Sequence, residues 1–285
     1  MTMLQIFIGL LITFGMVLRP FLYKKCVEFY PADLSSTFTS LWLLVALFIT
    51  APVLGHLYWD YAWEITCSPY LALSILKGIL LCKMIKMQQI INKQSTSSSV
   101  FFGFIAIALG SLTINIFFNE GLALTKLICI CALGILGILF VLIGDARNLP
   151  YKSKIYFILI ILIVSSFTVI DHVAIPNVGW YSHLLFSSLA MFLMCFKAGI
   201  TKQDYLNIFR NKYIICAGIV YSASEFLIIY ASINILPVSI VGIFLRLSAP
   251  IVMILSAYKY HEKSIKNQAI FGIIALVLTL PIILL

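Results

Sequence analysis

The sequence predicts an all-α integral membrane protein of ten transmembrane helices, arranged as two inverted five-helix repeats. Three observations carry this. Of 285 residues, 62% are hydrophobic and 10% charged, whereas a soluble domain is about 25% charged. Apolar runs approaching the roughly 20 residues that cross a hydrocarbon core recur ten times between short polar breaks. An internal echo at an offset of 142 residues sets FFGFIAIALGSLTINIFFNEGLAL against IFLRLSAPIVMILSAYKYHEKSIK, with Glu120 opposite Glu262.

The first run covers 3–19. Its basic residues Arg19, Lys24 and Lys25 follow the apolar stretch, and it lacks a small-residue cleavage site, so it reads as a retained span rather than a signal peptide. The second, 34–55, leads into GHLYWDYAWE, whose aromatic and acidic residues suit an outer interface. The third, 69–91, holds Lys77, Lys83 and Lys86 and ends at NKQSTSSS. Glu120 divides the fourth, 99–118, from the fifth, 121–143. GDARNLPYKSK introduces the sixth, 154–173, which is followed by the seventh, 179–197. AGITKQDYLNIFRNK introduces the eighth, 212–233; the ninth, 237–259, carries Pro250, and the tenth, 267–285, carries Gly272. Fewer spans would leave unpaired backbone in lipid. The repeats divide as 1–148 and 149–285.

Basic residues set the expected orientation. Fourteen Lys and Arg flank the odd-numbered connections and only Lys126 flanks an even one, which places the odd connections in the cytoplasm and both termini outside. The net charge of +9 therefore reads as topology and not as a nucleic-acid surface. The seven cysteines form no C-x-x-C pair and read as small apolar residues. No phosphate-binding glycine loop, H-E-x-x-H or metal cluster is present in the sequence, so neither cofactor nor metal is expected.

The stretch Ile228–Leu278 resembles the end of an EamA-type repeat of the drug/metabolite transporter superfamily. The matching features are a small-residue turn before Pro237, the mid-helix Pro250, Glu262 after that helix, and a final apolar helix with Gly272. In the first half Ala108 stands opposite Pro250. The resemblance implies a ten-helix bundle with a central substrate cavity and alternating access. Proteins similar to this one carry amino acids, sugars, nucleotide-like metabolites, quaternary amines and drugs.

Ionisable residues deep in a bilayer are costly and mark function by default. Lys77 lies about 12 Å from the outer end of the third span and Lys83 about 12 Å from its inner end, while Lys86, at about 7.5 Å, can snorkel. Glu225 and Arg246 lie at a depth similar to Lys77. Tyr221 and Glu225, spaced i, i+4, share a face. The expected substrate-binding set is Lys77, Lys83, Tyr221, Glu225 and Arg246, a net positive cavity suited to a carboxylate or phosphate. In it Glu225 meets an amine, carries a coupling proton, or pairs with Lys77 or Arg246. Asp171 and His172 read as interfacial, Ser111 and Asn115 as helix glue, and Glu120 and Glu262 as structural.

The expected function is secondary transport of a small polar metabolite across a bacterial inner membrane, with a coupling proton or counter-substrate and no nucleic-acid partner. The metabolite is amino-acid-like or nucleoside-containing, S-adenosylmethionine being one example by analogy with that superfamily. Export of amino acids or drugs fits the same residues. The alternative from another class is a membrane-embedded enzyme using Asp171 and His172, and the chain is expected not to be an enzyme. Oligomeric state is not legible.

Overall fold

The structure, a computed structural model, describes residues 2–51, 68–96, 98–118, 123–143, 145–196, 201–236, 238–260 and 265–284. These form eleven α-helices and one 3-10 turn, with no strand among the described residues. In chain order they are α1 (Met3–Phe29), α2 (Ala32–Thr50), α3 (Leu71–Gln94), α4 (Ser98–Phe118), α5 (Leu124–Ile143), α6 (Tyr151–Val178), α7 (Trp180–Cys195), α8 (Lys202–Phe209), α9 (Lys212–Asn234), α10 (Val238–Tyr260) and α11 (Ile265–Leu284). All except the eight-residue α8 overlap one of the ten apolar runs.

Local chemistry sets several ends. Thr2 and Gln5 form a reciprocal capping box at the start of α1, and the Asn211 side chain accepts from two amides opening α9. Gly179, at φ 75°, turns the chain from α6 into α7, a conformation open to glycine at little cost. In α8 the Thr201 amide and hydroxyl donate to Asp204, whose own amide donates back to Thr201; these bonds hold the Asp204 carboxyl below its usual range.

Among the described residues six helices are long and apolar enough to span a membrane, within α1, α4, α5, α6, α9 and α10, and this is a multi-pass membrane protein. Shorter apolar helices lie within α2, α7 and α11, and α3 carries its three lysines. Outward-facing Phe14, Ile138, Leu142, Ile158 and Leu162 are exposed, the pattern of a surface solvated by lipid. The GHLYWDYAWE segment and Glu120 and Glu262 lie outside the described residues.

Helix packing follows a paired scheme. If α1 to α5 are exchanged in order with α6, α7, α9, α10 and α11, most packed pairs turn into packed pairs, α1–α3 and α6–α10 being the exceptions. Thus α3–α7 becomes α9–α2, α3–α6 becomes α9–α1, α4–α6 becomes α10–α1, and α4–α5 becomes α10–α11. The contacts α2–α7, α4–α10 and α5–α11 map onto themselves.

Individual residues follow the exchange. Gly78 of α3 lies against the α7 backbone at Ser187 and Met191, and Gly218 of α9 lies against Trp42 of α2. Gly134 of α5 meets Ala108 of α4, and Gly272 of α11 meets Pro250 of α10. Where Phe244 covers Gly9, the corresponding pair is Phe102 against Phe157, with ring centroids 6.2 Å apart.

The close approaches give a first prediction. A side chain at Gly78 would drive α3 off the α7 backbone, and overpacking of this kind costs about 1–3 kcal/mol or more. Gly78→Leu is expected to lower the unfolding temperature of the detergent-solubilised protein markedly, whereas Leu162→Ala, on the exposed face, should leave it nearly unchanged. Equal melting of the two variants would contradict the packing described.

Candidate functional site

Two buried apolar clusters fill the bundle. One draws chiefly on α1, α4, α5, α6, α10 and α11, around Phe101, Phe140 and Phe271, whose rings meet in tilted and edge-to-face contacts. The other draws chiefly on α1, α2, α3, α7 and α9. A central cavity of about 160 Å³ is lined by residues of α1, α3, α4, α6, α9 and α10, a set that the exchange of halves leaves unchanged.

On one side Arg19 of α1 meets Glu225 of α9. Arg19 Nη1 donates to Glu225 Oε1 at 3.0 Å and Nη2 to the Tyr221 carbonyl at 3.0 Å. The guanidinium lies 4.6 Å from the centre of the Tyr221 ring, within cation–π range. Tyr221 and Glu225 occupy one face of α9 as their i, i+4 spacing requires, and Tyr23 follows Arg19 at the same spacing on α1. Arg19 Nε and the Tyr23 hydroxyl are buried with no partner among the described residues. An unpaired buried polar group costs about 1–3 kcal/mol.

The second constellation joins α3, α6 and α7. Lys77 Nζ donates to Asp171 Oδ1 at 2.6 Å, and His183 Nε2 lies 2.9 Å from the same oxygen. His183 Nδ1 is 2.8 Å from Ser74 Oγ. One tautomer satisfies both ring contacts: Nε2–H donates to the carboxylate and Nδ1 accepts from the serine hydroxyl. Lys77 is buried, while His183 and Ser74 have no exposed surface. Lys77 and Asp171 line the cavity; His183 and Ser74 stand behind them.

The two ion pairs share a polarity. Each takes its cation from α1–α5 and its anion from α6–α11. Each pair thereby ties a helix before the α5–α6 connection to one after it.

Three expectations are corrected. Glu225 pairs with Arg19 and not with Lys77. Arg19 had been assigned to the first cytoplasmic connection, but α1 continues to Phe29 and carries it inside the bundle. Asp171, expected to be exposed at an interface, instead faces Lys77 on the cavity wall, two turns before α6 ends at Val178.

The predicted lysines separate by facing. Lys77, Leu81, Met84, Ile85 and Gln88 line the cavity as one stripe of α3, whereas Lys83, about 120° from Lys77, is exposed and lies off that stripe. Lys86 is half-buried. The Arg246 side chain lies outside what is described. His172 lies beside Phe118 in a tilted contact, ring centroids 4.8 Å apart; Ser111 is buried and Asn115 half-buried, both off the cavity lining.

Two cysteines also depart from the expectation, since Cys82 of α3 and Cys195 of α7 form a disulfide. No grouping of three or more metal-ligating side chains occurs among the described residues.

No family model matches the chain, and no curated protein matches it.

Proposed function

We propose that the protein is a secondary transporter that binds a small polar metabolite between two inverted halves, in the manner of the EamA-type transporters it resembles. The observation that carries this reading is the central cavity, which holds two cross-half ion pairs within an apolar bundle. The exchange symmetry of the packing supports inverted repeats, the arrangement from which alternating access follows when one half rocks against the other.

The charge balance refines the ligand class. The described lining holds Arg19 and Lys77 against Asp171 and Glu225, a neutral set rather than the net positive one expected. Such a site suits a ligand carrying both signs. A carboxylate is received by Arg19 Nε and the Tyr23 hydroxyl, and an ammonium by Glu225, so the cargo is amino-acid-like, with S-adenosylmethionine among its members.

Purified protein in proteoliposomes, offered labelled S-adenosylmethionine and a panel of amino acids in either direction, tests this. Saturable flux of at least one compound is expected, and import or export follows from the orientation that is active. No flux of any would overturn the reading.

An enzymatic reading has one observation in its favour, the Ser74–His183–Asp171 chain, which resembles an activated hydroxyl and uses His183 in place of His172. Ser74 and His183 are fully buried, so the transport reading expects no labelling of Ser74 by a fluorophosphonate. Stoichiometric labelling would favour the enzyme.

Orientation supplies a further test. The asymmetry of Lys and Arg places the termini outside, and a reporter active only in the cytoplasm, fused after Leu285, is expected to be silent while one inserted in 145–150 is active. The reverse result would invert the assignment.

A further inference from the structure

We infer that Asp171, with Lys77, His183 and Ser74 around it, is a proton-binding site that couples transport to the proton gradient. This rests on the transport reading above and assigns the proton to a different site from Glu225.

The two ion pairs differ in what they can exchange. Arg19 stays charged at all accessible pH, so the Arg19–Glu225 pair has a fixed cation. In the other cluster lysine, histidine and carboxylate are all able to gain or release a proton. Both bonds to the Asp171 carboxylate converge on Oδ1, and among the described residues none reaches Oδ2. The side chain is 20% exposed and lines the cavity. A proton arriving from cavity water adds to Oδ2, taking the carboxylate from −1 to neutral. The His183–Oδ1 bond survives that step, because Oδ1 remains an acceptor.

Protonation strips Lys77 of its counter-charge. The ammonium then stands on the cavity wall, where a buried charge without a partner is strongly disfavoured, and the negative charge of the substrate carboxylate received at Arg19 and Tyr23 in the same cavity offsets it. Proton and carboxylate therefore favour each other's binding, and by linkage each raises the other's affinity by the same factor. The same step releases a clamp between the halves, since Lys77 belongs to α3 and Asp171 to α6.

The surroundings contain few competing groups. Of the helices packed on α6, α4 has no ionisable residue in its sequence, α3 offers Lys77, and α7 offers His183. From α10 come Arg246, whose side chain is outside the description, and Tyr258, Lys259 and Tyr260 near that helix's end. His172 lies beside Phe118. Arg19, Tyr23, Tyr221 and Glu225 complete the cavity's ionisable groups.

The test uses wild-type protein, Asp171→Asn and the Lys77→Met/Asp171→Asn double variant in proteoliposomes at clamped zero potential. The probes are labelled S-adenosylmethionine and zwitterionic amino acids. Wild-type protein is expected to accumulate substrate roughly tenfold per pH unit of gradient, as one proton per substrate requires. Asp171→Asn mimics the protonated acid and should retain counterflow exchange but lose accumulation. The double variant leaves no unpaired charge, which guards against misfolding of the single one, and should likewise show no response to the gradient. Wild-type flux indifferent to the pH gradient would overturn the coupling while leaving transport intact, as would full accumulation by either variant. Absence of flux of every probe would remove the transport reading and the coupling with it.

Discussion

Glu225→Gln and Arg19→Met are each expected to abolish flux and to reduce the amount of folded protein. The two side chains are bonded at 3.0 Å with 11% and 13% exposure, and removing one partner of a buried pair strands the other at a cost of about 3–5 kcal/mol. That is a large share of a typical folding stability of about 5–15 kcal/mol. The combined variant Arg19→Met/Glu225→Gln strands nothing and is expected to recover abundance. It should still fail to transport, since both charges offered to the ligand are gone. Abundance is read by fluorescence-detected gel filtration. Normal flux in Glu225→Gln at normal abundance would remove this pair from the binding site.

The second large effect separates two lysines of one helix. Lys77→Met is expected to lower flux by at least about tenfold, because it removes the cation facing Asp171 inside the cavity. Lys83→Met should remain within about twofold of wild type, since its side chain is on the exposed surface of α3 and surface changes rarely exceed about 0.5 kcal/mol. Uptake by the two variants, normalised to protein inserted, is the measurement. Equal losses would mean that the cavity extends to a face of α3 other than the stripe through Lys77 and Leu81.

Much of the helical plan was legible, because a membrane demands long apolar runs and polar breaks between them. Charge was harder to read. The apolar runs place Arg19 at the end of the first, 3–19, and Asp171 two residues before the end of the sixth, 154–173. In the structure α1 passes Arg19 by ten residues and α6 passes Asp171 by seven. Depth along a helix could be estimated from sequence but facing could not, which is why Lys83 was grouped with Lys77. Tyr221 and Glu225 were found because their spacing fixes a shared face without reference to neighbours.

His183 was missed although a signal existed: it is a histidine inside an apolar run, four residues after the positive-φ Gly179. The Cys82–Cys195 link spans 113 residues, and no local pattern joins two such positions. The echo at an offset of 142 is faint in sequence, and the contacts that the helix exchange pairs differ in residue type. Phe244 over Gly9 and Phe102 against Phe157 fill corresponding places with different side chains.

The central claim is that cargo binds between the halves at the Arg19–Glu225 pair. Its most direct test is the initial rate of substrate uptake by proteoliposomes holding equal amounts of folded wild-type protein and Arg19→Met/Glu225→Gln. The account predicts saturable uptake by the first and background by the second, and matching saturable uptake by both would contradict it.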